Sequence, residues 1–335
     1  MAASTYEGIL SDLKAKKYAP VYLLQGDEPY FIDQISAYIE KNVLTDDEKT
    51  FNQTVVYGKD IDVANLDNLS KRFPMMAEHQ VVIVKEAQDL KKIEDLVFYV
   101  QKPQKTTILV LCYKYKELDK RKKLASAIEK AGVLFTSKKL YDNKIPSWSE
   151  AYIKDKGYTI DPVALRLLTD YLGTDLSKIA NEIDKLAIAL PSGAKISPAD
   201  IQNNIGISKD YNNFELQNAI GSGDVLKAAR IVEHFSKNQK DNPLVLTITA
   251  LYGYFCKLLV YNQHIRDDSK TQAAALGVNP FFLKDYQAAQ RRFPTPKVIS
   301  AISLLREYDL KSKGVDNVST DPGALLQELV YKIMH

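Results

Sequence analysis

Two cysteines in 335 residues are too few for a disulfide framework, and Cys112 continues the apolar run Ile108 to Leu111, which marks it as a buried thiol. A reducing, cytoplasmic setting is the expectation. The four histidines, His79, His234, His264 and His335, are scattered without ligand spacing, so no metal site and no cofactor is expected. Charge of one sign is lacking too: 45 basic against 42 acidic side chains leave +3, too balanced for nucleic-acid binding by bulk electrostatics. Any DNA contact has to be local. Met1 to Gly8 lacks the features of a secretory leader or a transit peptide, and no apolar stretch is read as reaching the ~18 residues that cross a bilayer. No Ser, Cys or carboxylate stands in a recognisable nucleophile or acid/base motif, so no catalysis is expected from this chain itself.

The most informative absence is a phosphate loop. Val21 to Leu24 form a short apolar run, followed by Gln25-Gly26-Asp27-Glu28-Pro29-Tyr30-Phe31 and a helical pattern through Ile32, Ile35 and Ile39. A nucleotidase reads G-x-x-x-x-G-K-S/T at this junction, because backbone amides wrap the phosphates, a Lys neutralises them and a hydroxyl holds magnesium. Here one glycine remains. Asp27 and Glu28 suit the positive end of a helix dipole but repel a triphosphate. The third apolar run, Val81 to Val84, leads into Lys85-Glu86, putting a cation where a magnesium-binding Asp is required.

What is present is an alternation. Apolar runs at Val21, Thr54 to Tyr57, Val81 to Val84, Thr107 to Leu111 and Val133 to Phe135 are separated by helical patterns near Pro29 to Val43, Val63 to Lys71, Leu90 to Val100 and Leu118 to Lys130. Runs apolar at nearly every position imply strands buried on both faces, and intervening helices imply parallel crossovers. From Ile145 onward helices dominate, with Asp161-Pro162 and Ser197-Pro198-Ala199-Asp200 as start signals and Gly173 and Pro191-Ser192-Gly193 as stops. Trp148 is read as a packing anchor there. The fold class is α/β plus all-α, divided as an α/β domain at 1–141, a small helical domain at 142–209 and an all-helical domain at 210–335.

Several segments carry a resemblance to a known family. Pro20-Val21-Tyr22-Leu23-Leu24-Gln25-Gly26-Asp27-Glu28-Pro29-Tyr30 resembles the opening of the delta subunits of bacterial DNA polymerase III. Leu118 to Leu124, Asn181-Glu182-Ile183-Asp184-Lys185-Leu186, Phe214 to Ile220, Leu276 to Phe281 and Leu304 to Lys313 are similar to that family as well, so the likeness runs along nearly the whole chain. The resemblance implies an AAA+-like α/β domain without ATPase activity, a small lid domain and a helical collar. It also implies a non-catalytic clamp-loader subunit of the polymerase holoenzyme, a nucleotidyltransferase complex, that binds and opens the sliding clamp for loading onto primed DNA. The implied partners are the beta clamp, the ATPase gamma/tau subunits and delta-prime in a hetero-pentamer, with primed DNA reached through the complex, no membrane, and a nucleoid-associated cytoplasmic location. The ATPase members carry a four-Cys zinc module, which two cysteines cannot build. Two other readings stay open: an ATP-hydrolysing subunit with a divergent phosphate loop, and a DNA-binding helical module.

The resemblance also implies a hydrophobic wedge just before the third strand. The matching stretch is Arg72 to Gln80, with Phe73, Pro74, Met75 and Met76 as the clamp-binding candidates. Met suits such a plug because its flexible, polarizable chain adapts to a pocket, and burying one such side chain contributes ~1.5 to 3 kcal/mol. The plain alternative is that Phe73 and Met76 cover the sheet edge. Lys120, Arg121, Lys122 and Lys123, near Lys114 and Lys116 with Tyr113 and Tyr115 interleaved, are candidates for DNA contact, against the reading of a solvated helix face.

Overall fold

The computed structural model describes residues 5–119, 121–206, 211–317 and 319–335. The chain divides into two compact units, 1–140 and 141–335.

In the first unit, helix α1 (Tyr6–Lys14) precedes strand β1 (Val21–Gly26), and α2 (Pro29–Asn42) and α3 (Asp46–Asn52) lead into β2 (Gln53–Tyr57). Then come α4 (Val63–Ser70), β3 (Gln80–Lys85), the short α5 (Val97–Val100), β4 (Thr107–Lys114), α6 (Lys123–Ala131) and β5 (Val133–Ser137). The five strands form one parallel sheet in the order β2-β3-β4-β1-β5. Strand side chains alternate between faces, so Tyr22 and Leu24 join Ile32, Ile35 and Ile39 of α2 in one core. Val21 and Leu23 join Leu66, Leu124 and Ile128 in the other. Burial on both faces is what the continuous apolar runs require. β2 is the exception: it forms the sheet edge, and Val55 and Tyr57 are exposed.

Two expected helices come out differently. The stretch Leu90 to Val100 is not one helix: a 3-10 turn at Ala87–Asp89 precedes it and another at Ile93–Leu96 leads into α5, because Leu90, Ile93 and Leu96 recur every three residues and Lys92 takes a left-handed backbone (φ 56). α6 begins at Lys123 rather than Leu118, because Asp119 accepts from the amides of Arg121 and Lys122 ahead of it.

The second unit starts with α7 (Ile145–Asp155), a two-residue strand β6 (Thr159–Ile160), α8 (Pro162–Leu172), α9 (Leu176–Ala189), β7 (Lys195–Ile196) and α10 (Pro198–Ile205). The short β6–β7 pair interrupts an otherwise helical stretch in which no strand is expected from the sequence. Asp161 caps α8, and Ser197 and Asp200 cap each other at α10, as their spacing predicts. Trp148 is half-buried and stacks on Tyr152 at 5.5 Å. The remaining helices are α11 (Asn213–Ser222), α12 (Val225–Lys237), α13 (Leu244–Gln263), α14 (Ser269–Leu276), α15 (Leu283–Arg292), α16 (Thr295–Ser312) and α17 (Pro322–Met334). α13 is long and apolar enough to pass as a membrane span, which corrects the reading that no stretch reaches that length. Its apolarity is explained by the core it occupies, where Leu251, Phe255 and Leu258 are fully buried among Leu216, Phe293, Leu305 and Leu329.

Candidate functional site

The junction after β1 is closed by the protein's own groups. Gly26 donates its amide to the Lys116 carbonyl (3.1 Å) and accepts from the Tyr115 amide (2.9 Å), and Asp27 donates to the Ser137 carbonyl (3.0 Å). Buried Gln25 accepts from the Leu118 amide (2.9 Å) and donates to Thr136 Oγ1 (3.2 Å). Glu28, also buried, caps α2 by accepting from the Tyr30 amide (3.1 Å), and its carbonyl accepts from Ser137 Oγ (2.8 Å). The amides of Gly26, Asp27 and Tyr30, which a phosphate would need, are therefore spent, and a carboxylate occupies the helix end. Gly26 has φ 120, and a Cβ there would stand 2.0 Å from the Ser137 carbonyl oxygen. The glycine serves strand packing.

At the neighbouring strand ends, Lys114 of β4 pairs with Asp33 of α2 (2.8 Å) and Glu86 (3.3 Å), while Lys85 of β3 pairs with Glu40 (3.2 Å). Burial works against the Lys114 cation, but the two carboxylates outweigh it and raise its pKa above the ordinary lysine value. One cation is thus shared by two carboxylates at the C-terminal end of the central strand.

The stretch between α4 and β3 is an exposed apolar loop on a tied base. Tyr99 Oη (3.3 Å) and Thr107 Oγ1 (2.8 Å) donate to the Ser70 carbonyl, and the Gln80 side chain donates to the Leu69 carbonyl (3.0 Å), joining the two ends. Between them Phe73, Met75 and Met76 are 79, 59 and 97% exposed, with Pro74 half-buried. Ala77 turns back onto the core beside α2, so the plain reading that Met76 covers the sheet does not describe its side chain. Phe51 of α3 is a further exposed apolar side chain of this unit.

Residues 22–138 match the family described as DNA polymerase III, delta subunit. A DNA polymerase III subunit delta of Bacillus subtilis strain 168 is 28% identical over 321 residues, covering 91% of each chain. The chain is thus similar to DNA polymerase III delta subunits, by the family match over residues 22–138 and by the relative along most of its length. The solved structure of a Bacillus subtilis DNA clamp loader delta protein, 24% identical, superposes with a TM-score of 0.55 over 98% of this chain and 99% of that one, which shows a shared fold.

Two of the basic candidates are paired with carboxylates. Arg121 makes two bonds to Asp119, both 2.9 Å, which hold that carboxyl below its usual range. Lys122 pairs with Glu94 (3.4 Å). Lys123 is exposed at the start of α6, and Lys120 lies outside the described residues.

One residue that bears directly on the loop is not marked in the sequence. Asn52, the last residue of α3, is buried; its Oδ1 accepts from the Met75 amide at 2.6 Å and its Nδ2 donates to the Met75 carbonyl at 2.9 Å. The helix that carries it is not among those expected, although Thr45-Asp46-Asp47-Glu48 has the spacing of a capping box, whose reciprocal bonds are formed. The link from residue 52 to residue 75 had no local signal.

Proposed function

We propose that this chain is the non-catalytic clamp-loader subunit that grips and opens the sliding clamp through Phe73, Pro74, Met75 and Met76. The observation that carries the reading is the exposure of Phe73, Met75 and Met76 on a loop whose base is hydrogen-bonded shut. Large apolar groups held out to water at one place are what a partner pocket takes up. The closed β1 junction supports a scaffold that works without its own ATP. On this reading the ATPase gamma/tau subunits supply hydrolysis, residues 142–209 act as lid, residues 210–335 join the collar with those subunits and delta-prime, and primed DNA is reached through the complex. The setting is the cytoplasm, where replication occurs.

Mixing the purified chain with a sliding clamp labelled by self-quenching fluorophores across its subunit interface tests this. A fluorescence rise without ATP is expected. Binding without any rise would remove the opening role and leave only an adaptor.

A further inference from the structure

We infer that Asn52 is a positioning residue for the clamp contact: its side chain holds the main chain of Met75 so that Met76 is presented in a left-handed conformation with its side chain in solvent. The inference rests on the reading of residues 73–76 as the clamp-binding loop.

Met76 has φ 55, a region that non-glycine residues enter rarely and bulky ones more rarely still. It is also almost fully exposed, so contacts of its own side chain do not hold it there. Such a conformation persists only where the surroundings over-determine it. The restraint lies one residue earlier, where Asn52 takes both the amide and the carbonyl of Met75. Asn52 is itself fixed, because its Nδ2 also donates to the Glu48 carbonyl (3.1 Å) within α3, and that helix is secured at its other end by the Thr45–Glu48 box. An exposed apolar loop left free would have to lose its conformational freedom on binding; one already held loses less, and binds more tightly for the same contacts. The amide group is suited to this because it has an acceptor and a donor on one short planar stem.

The test uses the full chain, and its first part needs no variant. Native-state hydrogen exchange should show the Met75 amide protected at least tenfold beyond the value for an unstructured peptide; exchange at the peptide rate would overturn the inference. Asn52→Ala, and Asn52→Asp as a second variant that keeps the acceptor and loses the donor, should accelerate that exchange and weaken clamp binding about tenfold, with circular dichroism unchanged. Met75→Ala/Met76→Ala is measured beside them. If the double variant loses binding while either folded Asn52 variant binds like the parent, the loop assignment stands and the positioning role is wrong. If the double variant binds like the parent, the loop assignment fails and the positioning role falls with it.

Discussion

Lys114 Nζ lies 2.8 Å from Asp33 Oδ1, joining the end of β4 to the first half of α2 beside the place where a nucleotide's phosphates would enter. The pair, with Glu86, fills the site with the protein's own fixed charges. Adding magnesium and ATP at millimolar concentration should leave the melting temperature of the isolated chain unchanged, because a ligand stabilises only the state it binds. Lys114→Met should cost about 1 kcal/mol at neutral pH, since the carboxylates it leaves are partly solvated. The sign with pH follows from the raised lysine pKa: the stabilisation is complete below 10.5, the ordinary lysine value, and is lost as pH rises beyond it. Urea melts of parent and variant should converge at strongly alkaline pH.

Gly26→Ala combines a backbone at φ 120 with a Cβ 2.0 Å from a main-chain oxygen, and neither can be relieved by rotating a side chain. A loss of at least ~3 kcal/mol in chemical denaturation is expected. Glu28→Gln should cost under ~1 kcal/mol, because the amide oxygen still caps Tyr30.

Cys112 is buried on β4, and burial first of all, against a weaker opposing hydrogen bond with Ser36, pushes its thiol up from 9.0 to about 11. At pH 8 native protein should therefore react with a thiol reagent at Cys256 alone, and at both cysteines after denaturation. Because the folded-state value is raised, the unfolded chain ionises first. Stability should decline by up to about 1.4 kcal/mol per pH unit from this group between pH 9 and 11, a contribution that Cys112→Ala removes.

Arg166 of α8 lies 4.0 Å from the Phe214 ring centroid and 4.8 Å from that of Phe282, and donates to Gln217 Oε1 at 2.8 Å. It ties the small helical segment to the helices that follow it. Arg166→Ala should destabilise the second unit by about 2 kcal/mol, and Arg166→Lys should recover only a minor part, because a lysine lacks the planar fork that stacks and hydrogen-bonds together. Differential calorimetry distinguishes the two.

Much of this molecule was legible in the sequence because its signals are local. The five apolar runs became the five strands, and Asp161, Ser197 and Gly173 mark helix ends by their own side-chain or backbone chemistry. The absence of a phosphate loop was equally readable at Gly26. What was not readable is what spans distance: the place of β2 at the sheet edge, the bond from Asn52 to Met75, and the pairing of Lys122 with Glu94 of a separate turn. Spacing also misled at Leu90, Ile93 and Leu96, where a period of three belongs to 3-10 turns as readily as to a helix.

The most direct measurement is the affinity of the sliding clamp for the parent chain and for Met75→Ala/Met76→Ala, with thermal unfolding recorded on both. The variant should keep its melting temperature within a few degrees, since both side chains are exposed, and lose at least tenfold in affinity, which is ~1.4 kcal/mol of the ~3 or more that two buried methionines can contribute. A folded variant that binds the clamp as tightly as the parent would contradict the assignment of this loop.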